Sequence, residues 1–438
     1  MAYGGGIFTV QNKTLPGGYI NFVSAAGATA TLSERGISTM PLTLSWGPAQ
    51  TVLEVTAEDF AKNTKKLFGY SYTDEAMKPL RELFCHSKKA FLYRLNEGKN
   101  AENKYAKAKY SGTRGNDLRI VIEKSEGAPS GATKYDVSTY LGSDRVDVQK
   151  SVEKFADLTD NDFVQFKSDA VMELTAGTPL TGGEDGEVTA DNYQQYLSKM
   201  ESYGFHAMGC DSNDPIIKAL FVQYAKRMRE ECGVKFQLVL HRYEKADYEG
   251  VISVENGLVG EESSTAAVYY VTGAEAGCSV NQSLTNHTYT GEYDIHVDYS
   301  QAQLEQGVQT GKLLFHRVGD TTRILKDRNT LVSITEEKGK DFQNNQVVRV
   351  LDQIGNDIGA LFRDKYLGKI QNDDSGRIGL WSDIVQHHRN LETIRAIENF
   401  NSGDVVVTAG EQKESVVVSD TVQPVCAMEQ LYMTVVVQ

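Results

Sequence analysis

Glycine–lysine steps, histidines, cysteines and one acidic turn are the features of this chain whose types and spacing could do chemistry. Nucleotide hydrolysis needs a glycine-rich loop whose amides cradle phosphates, closed by Lys and then Ser or Thr. Lys follows Gly at Gly98-Lys99, Gly311-Lys312, Gly339-Lys340 and Gly368-Lys369, but the next residues are Asn100, Leu313, Asp341 and Ile370. None closes such a loop. Gly4-x-Gly6 has Thr9 where a dinucleotide fingerprint needs its third glycine, and it opens no helix. The sequence contains neither a GxSxG nucleophile elbow nor an HExxH zinc helix.

The histidines are His86, His206, His241, His287, His296, His316 and the pair His387-His388. Neighbours on a helix point about 100° apart, so the pair is poorly placed to clasp one metal and reads as structural. Gln371 to Gly376 resembles a calcium loop. With Gly376 at the sixth position, however, Gln371 falls first and Ser382 twelfth, where Asp and Glu are required. It reads as an interhelical turn with polar caps. Cys85, Cys210, Cys232, Cys278 and Cys426 are dispersed with no CxxC pair, the pattern of reduced thiols. No catalytic residue, cofactor or metal is therefore assigned.

The elements that would position any site belong to a chain of 438 residues with 24% charged residues and 39 glycines. That length allows about three domains of ordinary size. Asp plus Glu total 59 and Lys plus Arg 45, a net charge of −14 that repels phosphate backbones. Nucleic acid is not an expected partner. No apolar run reaches the roughly 18 residues of a membrane span, and no charged-then-apolar leader opens the sequence, so neither insertion nor export is expected.

Periodicity sets out the elements. Residues 38–44 and 90–95 read as strands, with helices over 56–68 and 74–85 between them. Short strands at 118–122, 135–141 and 145–148, separated by glycine turns, suggest an all-β insert, followed by strand-like sequence over 162–174 and a loop over 178–186. From Ala190 the period becomes helical. Helices at 191–203 and 214–232, the latter with Ile216, Ile217, Leu220, Phe221, Tyr224 and Met228 on one face, alternate with strands at 205–209 and 234–240, a parallel βαβ pattern. A helix over 299–313 follows. Long helices at 346–366 and 378–399 lead into strand-like stretches at 404–408, 414–419 and 429–437.

Both ends are sticky. Ile7, Phe8 and Val10 follow the glycines Gly4, Gly5 and Gly6, and Gly17-Gly18 precedes a second β-prone run at 19–23. At the other end Leu431, Tyr432, Met433, Val435, Val436 and Val437 form an uncharged apolar run. Such segments must pair, either within the chain as an edge hairpin or with another copy. Donation from both ends would give head-to-tail polymerisation.

Several segments carry a resemblance. They are Glu34-Arg35-Gly36-Ile37 with Trp46-Gly47-Pro48, Tyr110 to Leu118, Ala274 to Gly277 with Asn281 to Thr285 and Gly291-Glu292, Asp327 to Leu331, Asp341 to Asn345, Tyr366 to Lys369, and the ending Met428 to Val437. In this order the chain resembles the contractile tail sheath proteins of myophages and phage-tail-like bacteriocins, of the Gram-positive prophage type. The resemblance implies an α/β multidomain fold. A subtilisin-like α/β sandwich core without protease activity would carry an inserted β domain, an α+β C-terminal domain and extended terminal β arms. The implied divisions are an arm at 1–25, an N-terminal α/β domain at 26–97, the β-rich insert at 98–182, the core at 183–335, the C-terminal domain at 336–427 and a second arm at 428–438.

The resemblance further implies stacked hexameric rings around a tail tube protein, assembled in the host bacterial cytoplasm. They would be capped by baseplate and tail terminator proteins and would contract from a metastable extended state. Ile7, Phe8, Val10, Leu431, Tyr432, Met433, Val435, Val436 and Val437 would be inter-subunit strands, and Gly4, Gly5, Gly6, Gly17 and Gly18 the arm hinges. Arg363, Lys365, Lys369 and Arg377 form a candidate tube-facing patch, or a solvated helix end. The alternatives are a hydrolase-like enzyme on the α/β core and a different tail or baseplate component.

Overall fold

The computed structural model describes residues 4–6, 17–19, 32–126 and 134–437. Ile7, Phe8, Val10 and the turn at 127–131 lie outside the described residues. At the start, β1 (Gly4–Gly6) pairs in parallel with β2 (Gly17–Tyr19), so the backbones of the five glycines read as hinges lie in a short ladder.

The first block contains β3 (Ile37–Leu42), β4 (Val52–Thr56), helices α1 (Ala57–Phe68) and α2 (Lys78–Phe84), and β5 (Lys89–Arg94). Helix α1 starts where the sequence says it should. Thr56 Oγ1 accepts the Asp59 N–H at 3.0 Å, and Gly69 ends the helix at φ 76°. The insert holds β6 (Ala106–Ala108), β7 (Leu118–Lys124), β8 (Tyr135–Leu141), β9 (Asp144–Val152), β10 (Val164–Phe166) and β11 (Thr175–Pro179). Next come α3 (Ala190–Met200), β12 (Ala207–Cys210), α4 (Pro215–Glu230), β13 (Gln237–His241), β14 (Val251–Val254), α5 (Ala267–Gly277), α6 (Gln301–Gln309) and the short strands β15 (Lys312–Leu313), β16 (Phe315–Val318) and β17 (Thr321–Ile324). The last block is α7 (Asn345–Leu361), α8 (Asp374–Thr393), β18 (Val405–Ala409) and β19 (Val416–Asp420).

The two α/β pieces read separately from the sequence share one sheet. Its seven strands run β15-β14-β13-β12-β3-β5-β4, parallel throughout except that β4 is antiparallel to β5. Both faces are covered. Leu238 and Leu240 point to Phe221 and Met228 of α4, whereas Val239 between them packs with Val268 and Val271 of α5. The β3–β12 pairing joins residues on either side of the insert, a long-range contact that strand periodicity does not reveal.

The insert hangs from this sheet by two adjacent backbones. Lys99 and Glu184 exchange N–H···O bonds at 3.0 and 3.1 Å, and Glu102 and Thr181 do the same at 2.9 and 3.0 Å. A Cβ on Gly98 would sit 1.8 Å from the Glu184 carbonyl oxygen, and one on Gly186 1.4 Å from that of Glu97. Only glycine lets the strands pass so closely. Trp46 of the first block is fully buried in the insert's core, edge-on to Tyr110.

Four local expectations are corrected. Of residues 162–174 only Val164–Phe166 is strand, while Thr175–Pro179, assigned partly to a loop, is an edge strand held by backbone bonds across a register shift. Ile216 is 72% exposed, because the packed face of α4 runs through Ile217, Phe221, Tyr224 and Met228, and Ile216 is rotated off it. Helix α5 is apolar all round and buried, so it gave no periodic signal. Residues 429–437 form no strand, since among the described residues nothing pairs with them.

Candidate interaction surfaces

The C-terminal segment is anchored up to one residue and then released. Val425 N donates to Ala396 O at 2.9 Å, and Ala427 N to Gln346 Oε1 at 3.0 Å. Glu429 Oε1 accepts Thr285 Oγ1–H at 2.8 Å, while Oε2 meets Lys326 Nζ at 3.0 Å. Beyond it Leu431, Tyr432, Met433, Val435, Val436 and Val437 are all at least 71% exposed. A run of large apolar side chains left in water has no stabilising role within this chain.

Earlier in the same block is the β18–β19 hairpin, with the register Val405↔Asp420 through Ala409↔Val416. Its inner face packs on α8. Val405 joins Leu380, Ile384 and Val385, with Val407, Val416 and Trp381 against them, and Trp381 Nε1–H donates to Val405 O at 3.1 Å. Val406 and Val417 on the outer face are exposed, and these two strands form a sheet with no third member among the described residues.

Arg363, Lys365, Lys369 and Arg377 do cluster where α7 gives way to α8, but their charges are largely compensated. Arg363 Nε pairs with Asp364 at 3.0 Å, and Lys365 with Asp383 at 2.6 Å. Lys369 donates to the Asp364 carbonyl at 2.5 Å, and Arg377 binds Asp374 and, at 3.0 Å, Asn372 Oδ1. Asp364 and Asp374 are interleaved with the cations in sequence, and Asp383 follows them. Beside them Leu367, Ile370 and Ile378 are exposed, at a groove of about 460 Å³ lined by Phe362, Tyr366, Leu380 and Val416. The surface is thus amphipathic rather than simply basic.

Sequence reasoning missed the buried ion pairs that fasten α7 to the α/β core. Arg349 meets Glu275 and Asp327, all three without solvent exposure, and Arg35 donates to the Glu275 backbone at 2.9 Å. Burial pushes the Glu275 carboxyl up, against the pull of Arg349, and lowers Arg35 to about 10. Arg229 of α4 holds Asp352 of α7 through two bonds of 2.6 and 2.7 Å. The available signal was the position of Arg349 and Asp352 among the apolar residues of α7 and of Glu275 in an Ala/Gly/Tyr run.

His241, the acidic turn and the histidine pair have structural partners. His241 is buried and pulled down to about 4, first by burial and then by Arg242 and Lys218. Its Nδ1 faces Asn213 at 3.3 Å and its carbonyl accepts Lys218. The acidic turn caps α8, with Asp373 Oδ1 accepting Gly376 N–H at 2.8 Å. Among the described residues no group of three or more His, Cys, Asp or Glu could hold a metal ion, and no helix is long and apolar enough to cross a membrane. His387 and His388 are buried against one another and against two carboxylates.

Four family descriptions tile the chain. They are the N-terminal region of tail sheath protein Gp18 domain III (residues 35–95), the phage tail sheath β-sandwich domain (96–185), the phage tail sheath central domain (186–330) and the phage tail sheath C-terminal domain (337–438). The phage-like element PBSX protein XkdK of Bacillus subtilis is 32% identical, over 98% of this chain and 99% of its own. The crystal structure of a sheath tail protein from Desulfitobacterium hafniense superimposes with a TM-score of 0.83 at 37% identity, covering 95% of this chain and 99% of the other. At 13% identity the fold alone is shared with the helical sheath of the anti-feeding prophage in its contracted state, with a TM-score of 0.55 over 97% and 99% of the two chains.

Proposed function

The chain belongs to the phage tail sheath protein family, and from that premise we propose that it polymerises through its arms as stacked hexameric rings around a tail tube and contracts from a metastable extended state. The family points to a structural, non-enzymatic role in a phage tail or tail-like particle. The observation that carries the finer reading is the released segment 430–437, a strand-prone apolar run that pairs with no strand among the described residues, in a chain whose β18–β19 sheet has no third member among them. Strand addition gives affinity through the main chain, and each buried apolar side chain adds about 25 cal/mol per Å².

In this reading Ile7, Phe8 and Val10 of one subunit and Leu431 to Val437 of another extend the β18–β19 sheets of neighbours. Gly4, Gly5, Gly6, Gly17 and Gly18 absorb the rotation when rings compact. The doubly covered, mainly parallel sheet is consistent with a subtilisin-like core, and the divisions at 26–97 and 183–335 are then two parts of one layered body. Tube, baseplate and terminator proteins are the proposed partners, and assembly takes place in the host cytoplasm. Tube contact falls to the Arg363–Arg377 surface with its apolar neighbours Leu367, Ile370 and Ile378. Negative-stain microscopy of the purified full chain tests the reading. Rings or cylinders are expected, and a chain that stays monomeric at every concentration, with or without tube protein, overturns it.

A further inference from the structure

His387 and His388, adjacent on α8, are 1% and 0% exposed. Their rings meet through Nδ1 atoms 3.2 Å apart. Each turns its other nitrogen to a carboxylate, His387 Nε2 to Asp357 Oδ2 at 3.0 Å and His388 Nε2 to Asp420 Oδ2 at 2.7 Å. The four groups therefore form one row, Asp357–His387–His388–Asp420, with three polar gaps at hydrogen-bonding distance.

Each gap needs one hydrogen. A neutral imidazole carries one N–H and a carboxylate none, so two neutral rings supply two hydrogens for three gaps. Turning either ring over would set one C–H against its carboxylate and another against the neighbouring imidazole, losing two of the three contacts at once. The third hydrogen must be an additional proton, and a third ring N–H is where it is counted.

We propose that this row holds one proton beyond those of two neutral imidazoles, and that the proton-bridged row locks the root of the N-terminal arm to the β18–β19 hairpin. Asp357, on α7, also accepts Ser33 Oγ–H at 2.6 Å and Gln353 Nε2–H at 2.7 Å. Ser33 lies just beyond the proposed arm, and Asp420 is the last residue of β19. One line of hydrogen bonds thus joins arm root, α7, α8 and hairpin.

The surroundings favour a single extra charge. Asp357 and Asp420 contribute one carboxylate from each side. Burial alone would raise Asp357, but hydrogen bonds from His387, Ser33 and Gln353 outweigh it and hold the group below the usual carboxylate range. Phe400 presents its ring to His388 at 5.1 Å and 72°, closing that side with an apolar group. On the core side Asp357 and Arg35 both act on His206, which burial and Arg35 keep neutral. On α8 itself, Glu392 is occupied by the Phe400 N–H. Without the extra proton one of the three gaps holds two facing lone pairs, and with a second one two N–H groups meet between the rings. Both states weaken the row.

The consequence for sheath assembly rests on the sheath reading, whereas the proton count does not, and the test separates them. The full chain, labelled with ¹⁵N in its histidines, is observed by NMR at about pH 7. Three ring hydrogens are expected on the pair, the one between the Nδ1 atoms strongly deshielded. Asp420→Asn can donate its own N–H to His388 Nε2, so only two ring hydrogens are expected there. Asp357→Asn should do the same from the opposite end, which keeps the test open if one variant folds poorly. Two ring hydrogens in the unsubstituted chain, or a third surviving in a folded Asn variant, overturn the proposal. Hydrogen exchange reads the lock. In folded Asp420→Asn, which lacks the third proton, residues 32–35 and 416–420 should exchange faster together, and independent responses refute the coupling. A third proton in a chain that never forms sheaths supports this inference and overturns only the polymer reading.

Discussion

Arg349 of α7 grips Glu275 of α5 side-on, Nε on Oε1 and Nη2 on Oε2, both at 2.8 Å and both side chains fully buried. Helix α5 covers one face of the seven-stranded sheet, and α7 opens the C-terminal block, so the pair rivets the two. A buried pair is a poor source of net stability, but losing one partner strands a charge, which costs about 3–5 kcal/mol. Arg349→Met should therefore lower the urea midpoint of the full chain sharply. Adding Glu275→Leu and Asp327→Asn should restore much of the loss. A single substitution with no effect would contradict the buried network.

Removing residues 428–438 should leave the fold intact, because Met428 and the residues from Leu431 to Val437 are exposed in the single chain. Polymerisation should be lost. Deletion of residues 1–18 should have the same effect from the other end. Gel filtration and electron microscopy check both, and normal sheaths from either truncation would exclude strand donation by that arm.

His206 makes acid stability measurable. Burial and the neighbouring Arg35 pull it down to about 3, and its neutral Nδ1 accepts the Ile37 N–H at 3.2 Å. In the unfolded chain an imidazole titrates near about 6.5. Because the folded value is depressed, its contribution is complete above about pH 6.5 and is lost as pH falls toward 3, at up to about 1.4 kcal/mol per pH unit. His206→Asn keeps an acceptor for Ile37 and abolishes the titration. Denaturation midpoints across this range should then fall less steeply, and an unchanged slope would refute the assignment.

The amphipathic surface at the α7–α8 junction can be tested by charge and by greasiness separately. Lys369→Glu with Arg363→Glu should weaken co-assembly with tube protein severalfold. Leu367→Ser with Ile378→Ser should do so more strongly, because the cations already have acidic partners. Co-sedimentation measures both. Unchanged co-assembly in both double variants and in their combination would move the tube contact elsewhere.

The sequence was most legible where local rules suffice. Thr56 and Gly69 mark α1, strand β8 falls on the residues read from the pattern, and the acidic turn caps α8 instead of holding calcium. It was least legible where partners are distant or periodicity is absent. Nothing local shows that β3 pairs with β12 across the insert, that α5 is a helix, or that Arg349 will be buried against Glu275. The adjacent histidines were read as structural, but their carboxylates come from α7 and β19, which only the fold brings together. Cations at 363–377 were legible, and the effect of the intervening aspartates on them was not.

The paired backbones at Lys99 and Glu184 make the insert a cassette. Its entry and exit are one hydrogen-bonded step apart, and the seven-stranded sheet closes without it. A lineage can lengthen, replace or discard residues 99–184 without disturbing strand order, provided something covers Trp46 and the Arg94 guanidinium, which donates to the Ser111 carbonyl at 2.8 Å. The same two-strand stem is a ready splice point for foreign domains whose termini lie side by side.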